Sequence, residues 1–565
     1  MYVAVIPNRG AQPTILVRES YREDGRVKNR TLANLTHLPA YAVEGLQRLL
    51  KGEKLVTPED VFEIERSVQH GHVDAVLRTI RRIGLDKIIA KKRSPERDLV
   101  LAMIVGRILS PSSKLETTRW WSTTSLPEKL GIVDADENAL YSALDWLLEQ
   151  QPAIEKRLAA RHLNPGELAM YDITSTWVEG AKCPLAALGY SRDGRRDKKQ
   201  IVFGMLTDEV GRPVAVSVYP GNTTDSTTVR DQINKLKNDF DLDLIVFVGD
   251  RGMVTQVQID TFMEEGGVEW ITALKSGAIR KLKTEGSLQI GLFDKRNLFE
   301  FQSPEYPGER FIACRNPELA ERRARTRKDL IDATKRELEK VRKMVKSKKL
   351  RTASEIGIRV GRVVNKFKVA KLFKLEIRDG ELKYRVLQDK VKAESALDGI
   401  YVIRTSVSKE VFSAEDTVRH YKRLTHIERG FRSIKTVSQR VRPIYHHLEP
   451  RVRAHIFLCM LAYYVEWHMR QAWSEMLFAD ETDTVEQRDP VVRAQPSTEA
   501  RQKAASKRTR DGSVAHSFRS LLNNLSTIVK NFCRRKDAPE NEPRIDMVTQ
   551  PNALQARALE LIDAL

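Results

Sequence analysis

Cysteine is scarce: four residues in 565, at positions 183, 314, 459 and 533. They form no CxxC pair and no Cys/His spacing of the kind a zinc site uses. A disulfide scaffold is therefore excluded as the basis of stability, and a reduced cytoplasmic setting is expected. Long apolar runs are also missing. The longest candidate, Ala454 to Trp467, is broken by His455 and Glu466. It reads as a buried helix and not as a membrane span, so no membrane partner is expected. The start, Met1-Tyr2-Val3-Ala4-Val5-Ile6-Pro7, has no basic region followed by an apolar core, and no secretory signal is expected. No tandem repeat recurs along the chain.

Negative charge is in deficit. Lysine and arginine number 96 against 76 acidic residues, a net +20, while 41% of residues are apolar. That apolar share supports folded cores, and the length suggests three to four domains. A cationic excess of this size favours a polyanionic partner.

The pattern changes along the chain. Thr14–Tyr21 and Arg26–Leu32 flank Asp24-Gly25 and predict a hairpin. From Pro39 to Leu163 helical periodicity dominates, giving a mixed β-hairpin and helical region over 1–165. It carries a basic cluster at Arg78, Arg81, Arg82, Lys87, Lys91, Lys92 and Arg93, equally readable as a solvated face. Residues 166–274 are strand-rich. Glu428 follows Asp250 by 178 residues, too many for a structureless loop, so residues 275–405 are expected to form a β-rich insertion domain. Pro317–Leu350 within it predicts a charged helix with 13 basic and 6 acidic residues. Residues 406–475 return to the core. Residues 476–565 read as a polar linker, roughly 480–512, and closing helices.

Three carboxylates carry the chemistry. Asp172 lies in Tyr171-Asp172-Ile173-Thr174-Ser175, and Asp250 ends Ile245-Val246-Phe247-Val248-Gly249-Asp250. Both belong to apolar β-branched runs that read as buried strands. Glu428 sits on a helical stretch where Leu424, Ile427, Phe431 and Ile434 form the buried stripe. Tyr421, Glu428 and Lys435 fall seven apart, along one edge of that helix. Alone, each aspartate reads equally well as a strand-end cap or turn residue. Together, two strand-end aspartates and a helical glutamate suit two Mg²⁺ or Mn²⁺ ions about 4 Å apart, the arrangement of in-line phosphoryl transfer. Arg423, Arg429, Arg432 and Lys435 surround the acid and suit DNA phosphates. Arg195, Arg196, Lys198 and Lys199 lie beside the first strands, either on DNA or in a solvated loop. Trp177 and Trp270 read as packing or base-stacking residues.

On these motifs, with Gly189–Gln200, Pro220-Gly221-Asn222-Thr223-Thr224-Asp225 and Gly249-Asp250-Arg251-Gly252-Met253, the chain resembles the DDE transposases of bacterial insertion sequences over most of residues 165 to 470. The resemblance implies an α/β fold: an RNase H-like catalytic core interrupted by a β-rich insertion, between the N-terminal region and a helical C-terminal one. It implies that Asp172, Asp250 and Glu428 are the catalytic triad and ligands of two Mg²⁺ (or Mn²⁺) ions. Tyr421 and Lys435 match the outer members of a Tyr-Arg-Glu-Lys signature that contacts transposon-end phosphates. The signature's arginine falls on Leu424; Arg423, next to it, lies about 100° round the helix. Implied partners are terminal inverted repeats, target DNA and a second copy of the chain, at the nucleoid. Another RNase H-like nuclease, or a DNA-binding protein without activity, are the competing readings.

Overall fold

The computed structural model describes residues 1–54, 61–480, 490–492, 495–536, 539 and 543–565. The expected linker at 480–512 therefore lies partly outside the described residues. Its described remainder is not wholly irregular: Thr498–Ser506 is a helix capped by Ser497. The chain divides into two compact units, one of Met1–Gln69 with Ile528–Gln550, the other of His70–Thr527 with Pro551–Leu565.

In the first unit β1 (Tyr2–Asn8), β2 (Ala11–Glu23) and β3 (Arg26–Asn34) form an antiparallel sheet. The β2–β3 turn places Asp24 and Gly25 at φ of 52° and 75°. Two successive left-handed residues are what a tight hairpin with native strand twist requires, hence Asp-Gly there. Helix Ala40–Leu50 closes a small core of Val17, Leu35 and Val43. A second sheet has the order β16-β15-β4, from Phe62–Gln69 (β4), Val529–Arg535 (β15) and Ile545–Val548 (β16). These strands depart from the sequence reading, which made residues 39–163 and the C-terminal region helical. Their side chains are largely exposed, so hydrophobic alternation gave little signal.

The second unit is built on an eight-stranded mixed sheet. β5 (Leu168–Trp177), β6 (Gln200–Thr207) and β7 (Pro213–Pro220) run antiparallel in sequence. β8 (Ile245–Gly249) and β9 (Val268–Ala273) add in parallel on the other side of β5. Every residue of β6 and β8 is buried, which explains their unbroken apolar sequences. Helices Glu137–His162 and Glu449–Ala472 pack on one another and on β7. Asp136 caps the first through the Ala139 amide.

The interval before Glu428 differs in character from the β-rich domain expected. β10 (Leu298–Phe301), β11 (Arg310–Arg315) and β14 (Ile400–Thr405) extend the central sheet, in the order β10-β11-β14-β9-β8-β5-β6-β7. Their apolar side chains cover the edge that β9 would otherwise leave unpaired. The rest is led by two helices, Pro317–Lys346 and Ala353–Phe367, with the hairpin of β12 (Phe373–Arg378) and β13 (Glu381–Val386). Ile331, Leu338, Ile356, Val360 and Leu372 give this part its own core.

Candidate active site

Register brings the two aspartates together. β5 and β8 are parallel neighbours with Tyr171 opposite Gly249, so Asp172 and Asp250 are the next residues along adjacent strands. Asp172 still belongs to β5, while Asp250 follows the last residue of β8. The strand end needs close packing behind it. Gly204 on β6 lies against the Tyr171 phenol, where a Cβ would collide with the ring.

Asp172 is half-buried and Asp250 exposed. Burial pushes the Asp172 carboxyl up to about 7; the Ile173 amide and Arg192 oppose this, whereas the charges of Asp250 and Glu428 add to it. The three acids thus feel one another across a single region. Among the described residues, however, no three His, Cys, Asp or Glu side chains stand close enough to clasp an ion. The site is open, with Glu428 exposed.

The helical edge expected at Tyr421–Lys435 is divided. Ala414–Lys422 and Leu424–Arg432 are separate helices meeting at Arg423, and Ser433–Val437 is a wider π turn. Tyr421 donates its hydroxyl to Asp250 Oδ1 at 3.0 Å. Burial, then the Asp250 charge, hold the phenol well above its ordinary value, so it stays a donor. Leu424, at the signature's arginine position, is buried, and Arg423 pairs with Glu209 at 2.6 Å. Arg432 is exposed. Lys435 is buried, bonded to Thr174 Oγ1 at 2.9 Å and to Asp193 at 2.6 Å. Its burial lowers the ammonium while Asp193 raises it.

The loop after β5 holds the remaining basic residues. Arg195 pairs with Asp197 at 3.3 Å and Lys198 with Glu179 at 3.0 Å. Lys199 is exposed. Trp177 lies under Arg442 and Arg195, with 4.8 and 5.6 Å from guanidinium carbon to ring centre. Trp270 is 2% exposed and belongs to the core. Asp193, Arg442, Arg192 and Asp225 were not singled out from sequence. Asp193 joins Lys435 to Arg442, 2.6 Å from each, and Arg192 is paired with Asp225. The only signal was that Asp193 and Asp225 lie in two polar motifs, 189–200 and 220–225.

Comparison with known families fits this geometry. A model described as transposase DDE domain matches residues 177–465, which include Asp250 and Glu428 and begin five residues after Asp172. A second, described as IS1634 family transposase N-terminal domain, matches residues 4–61. No curated protein matches the chain. With one match over half its length and the other ahead of it, the chain belongs to the DDE transposases of insertion sequences, proteins of DNA transposition.

Proposed function

We propose that the chain binds the terminal inverted repeats of its element and there performs metal-dependent strand cleavage and strand transfer, through Asp172, Asp250 and Glu428. The carrying observation is the adjacency of Asp172 and Asp250 on β5 and β8, with Glu428 near enough for its charge to act on Asp172. The sheet order β7-β6-β5-β8-β9 supports an RNase H-like core over 166–274 and 406–475, with 275–405 inserted. Lacking ligands other than oxygen, the acids suit Mg²⁺ or Mn²⁺ better than zinc. When bound, two such ions activate the attacking oxygen and stabilise the leaving one.

The chain's own groups prepare that chemistry. Tyr421 fixes the Asp250 carboxylate by its hydrogen bond and leaves the second oxygen available. The Ile173 amide donates to Asp172 Oδ1 at 2.7 Å and orients it likewise. Arg192 partly offsets the three negative charges. Arg432, Lys199 and Arg195 are exposed, and with Tyr421, Arg423, Lys198 and Lys435 they form the proposed DNA contact surface. Two ends must be cut in concert, so a homodimer is expected on DNA, which would carry its joined ends to target DNA.

The test is end-bearing DNA incubated with purified protein and Mg²⁺ or Mn²⁺. Asp250→Asn is expected to keep binding and lose cleavage. Cleavage by that variant at the wild-type rate removes Asp250 from the site. Binding without cleavage by the wild-type protein makes it a DNA-binding protein alone.

A further inference from the structure

Away from the carboxylates, the larger unit buries a second set of titratable groups. Arg107 lies near the end of helix Pro95–Leu109, and Lys114 begins helix Lys114–Trp121. His455 and Cys459 are one turn apart on Glu449–Ala472, and His446 precedes that helix. Arg107 and Lys114 are only 8% and 5% exposed, and His455 is 5% exposed. The rings of His446 and His455 are 4.9 Å apart, and Cys459 Sγ is 4.0 Å from His455 Nε2.

These groups lack an anion. Arg107 uses its guanidinium on two carbonyls, Gln439 at 3.2 Å and Ser112 at 3.4 Å. Among the described residues, Lys114 has no hydrogen bond or ion pair at its ammonium, and His455 Nδ1 is buried without a partner. Glu116, one turn along, faces outward near Arg119 at 3.9 Å. The charges acting on His446 and His455 are Arg107, Lys114, Arg451 and neighbouring histidines, with no carboxylate among them. Burial, then Arg107, lowers Lys114 to about 7. Buried cations without a counter-charge are strongly unfavourable. The same positive field repels a metal ion from the two imidazoles. Lys114 also opens a helix, whose first amides and dipole favour negative charge.

We propose that Arg107, Lys114, His446 and His455 form a binding site for one phosphate group, distinct from the carboxylate site. Arg107 and Lys114 supply charge, and His455 Nδ1, in its protonated tautomer, supplies a donor. β5 continues into Val178, which bridges Ile444, two residues before His446. Six residues of extended chain separate Asp172 from Val178, about 20 Å. The phosphate is therefore not a reacting group. That spacing matches about six base pairs of duplex at 3.4 Å each, so the phosphate belongs either to bound DNA (which rests on the proposed function) or to free phosphate.

Calorimetric titration of the full chain with inorganic phosphate, at constant ionic strength, tests the site. Saturable one-site binding is expected, weakened about tenfold or more in Lys114→Met, which removes a charge-assisted bond and keeps the side-chain volume. Thermal unfolding in chloride checks that the variant is folded; if it is not, His446→Gln takes its place and is expected to weaken phosphate binding too. Fluorescence anisotropy with end DNA identifies the source. Phosphate that competes with DNA, together with weaker DNA binding by the variant, assigns the site to DNA; unchanged DNA binding assigns it to free phosphate, and either upholds the site. Absence of saturable binding to the wild-type chain, or equal binding by a folded variant, overturns it.

Discussion

Replacing Asp172 by asparagine should stabilise the metal-free protein while removing its cleavage activity. The carboxyl is raised from the ordinary 3.8 to about 7 by burial and by its acidic neighbours. Between those values the folded chain keeps a proton that the unfolded chain has released. Stability therefore falls as pH rises from about 4 to about 7, and the full penalty is present above that. The shift corresponds to on the order of 4 kcal/mol; screening at the partly exposed edge leaves ~2–4 kcal/mol. Asparagine keeps an acceptor for the Ile173 amide but cannot ionise, so that penalty disappears. For a unit of this size the gain in Tm at pH 8 in EDTA is roughly 2–4 °C. At pH 4 the two proteins should melt together. Mg²⁺ should raise the wild-type Tm at pH 8 and leave the variant unmoved. Calorimetry across pH 4–8 with and without metal checks this. A variant no more stable than wild type at pH 8, or one with the same loss of stability on going from pH 4 to pH 8, refutes the electrostatic account of the site.

Tyr421→Phe removes the 3.0 Å hydrogen bond to Asp250 and should slow single-turnover cleavage about tenfold, in line with ~1 kcal/mol for such a bond, with DNA affinity unchanged; an unaltered rate denies Tyr421 its orienting role. Gly204→Ala drives a methyl into the Tyr171 ring and should destabilise by about 1–3 kcal/mol, with lost cleavage, as read by urea unfolding and a nicking assay. Arg404 and Glu309 are paired inside the sheet extension at 7% and 1% side-chain exposure. Glu309→Gln should therefore cost about 3–5 kcal/mol by stranding the guanidinium, a loss visible in denaturant midpoints.

How far the site was legible depended on whether the signal was local. Asp172 and Asp250 stood out because each interrupts a run of buried β-branched residues, and parallel pairing of β5 with β8 then puts them side by side. Glu428 was legible from helical spacing, since Leu424, Ile427 and Phe431 do form the buried face of its helix. The single helix read through 421–435 was not sound, because seven-residue spacing is blind to a break. The chain turns at Arg423 and widens after Arg432. Lys435 consequently reaches inward to Thr174 and Asp193 instead of sharing an exposed edge with Glu428. Asp193 had no local signature at all. Its importance comes from two cations, 242 and 249 residues further on, that meet it only after folding. The strands of the insertion were found in sequence, yet their destination was not: pairing with β9 is a long-range choice that no run of apolar residues encodes. Local patterns thus reveal the acids, while the groups that orient and neutralise them emerge only from the fold.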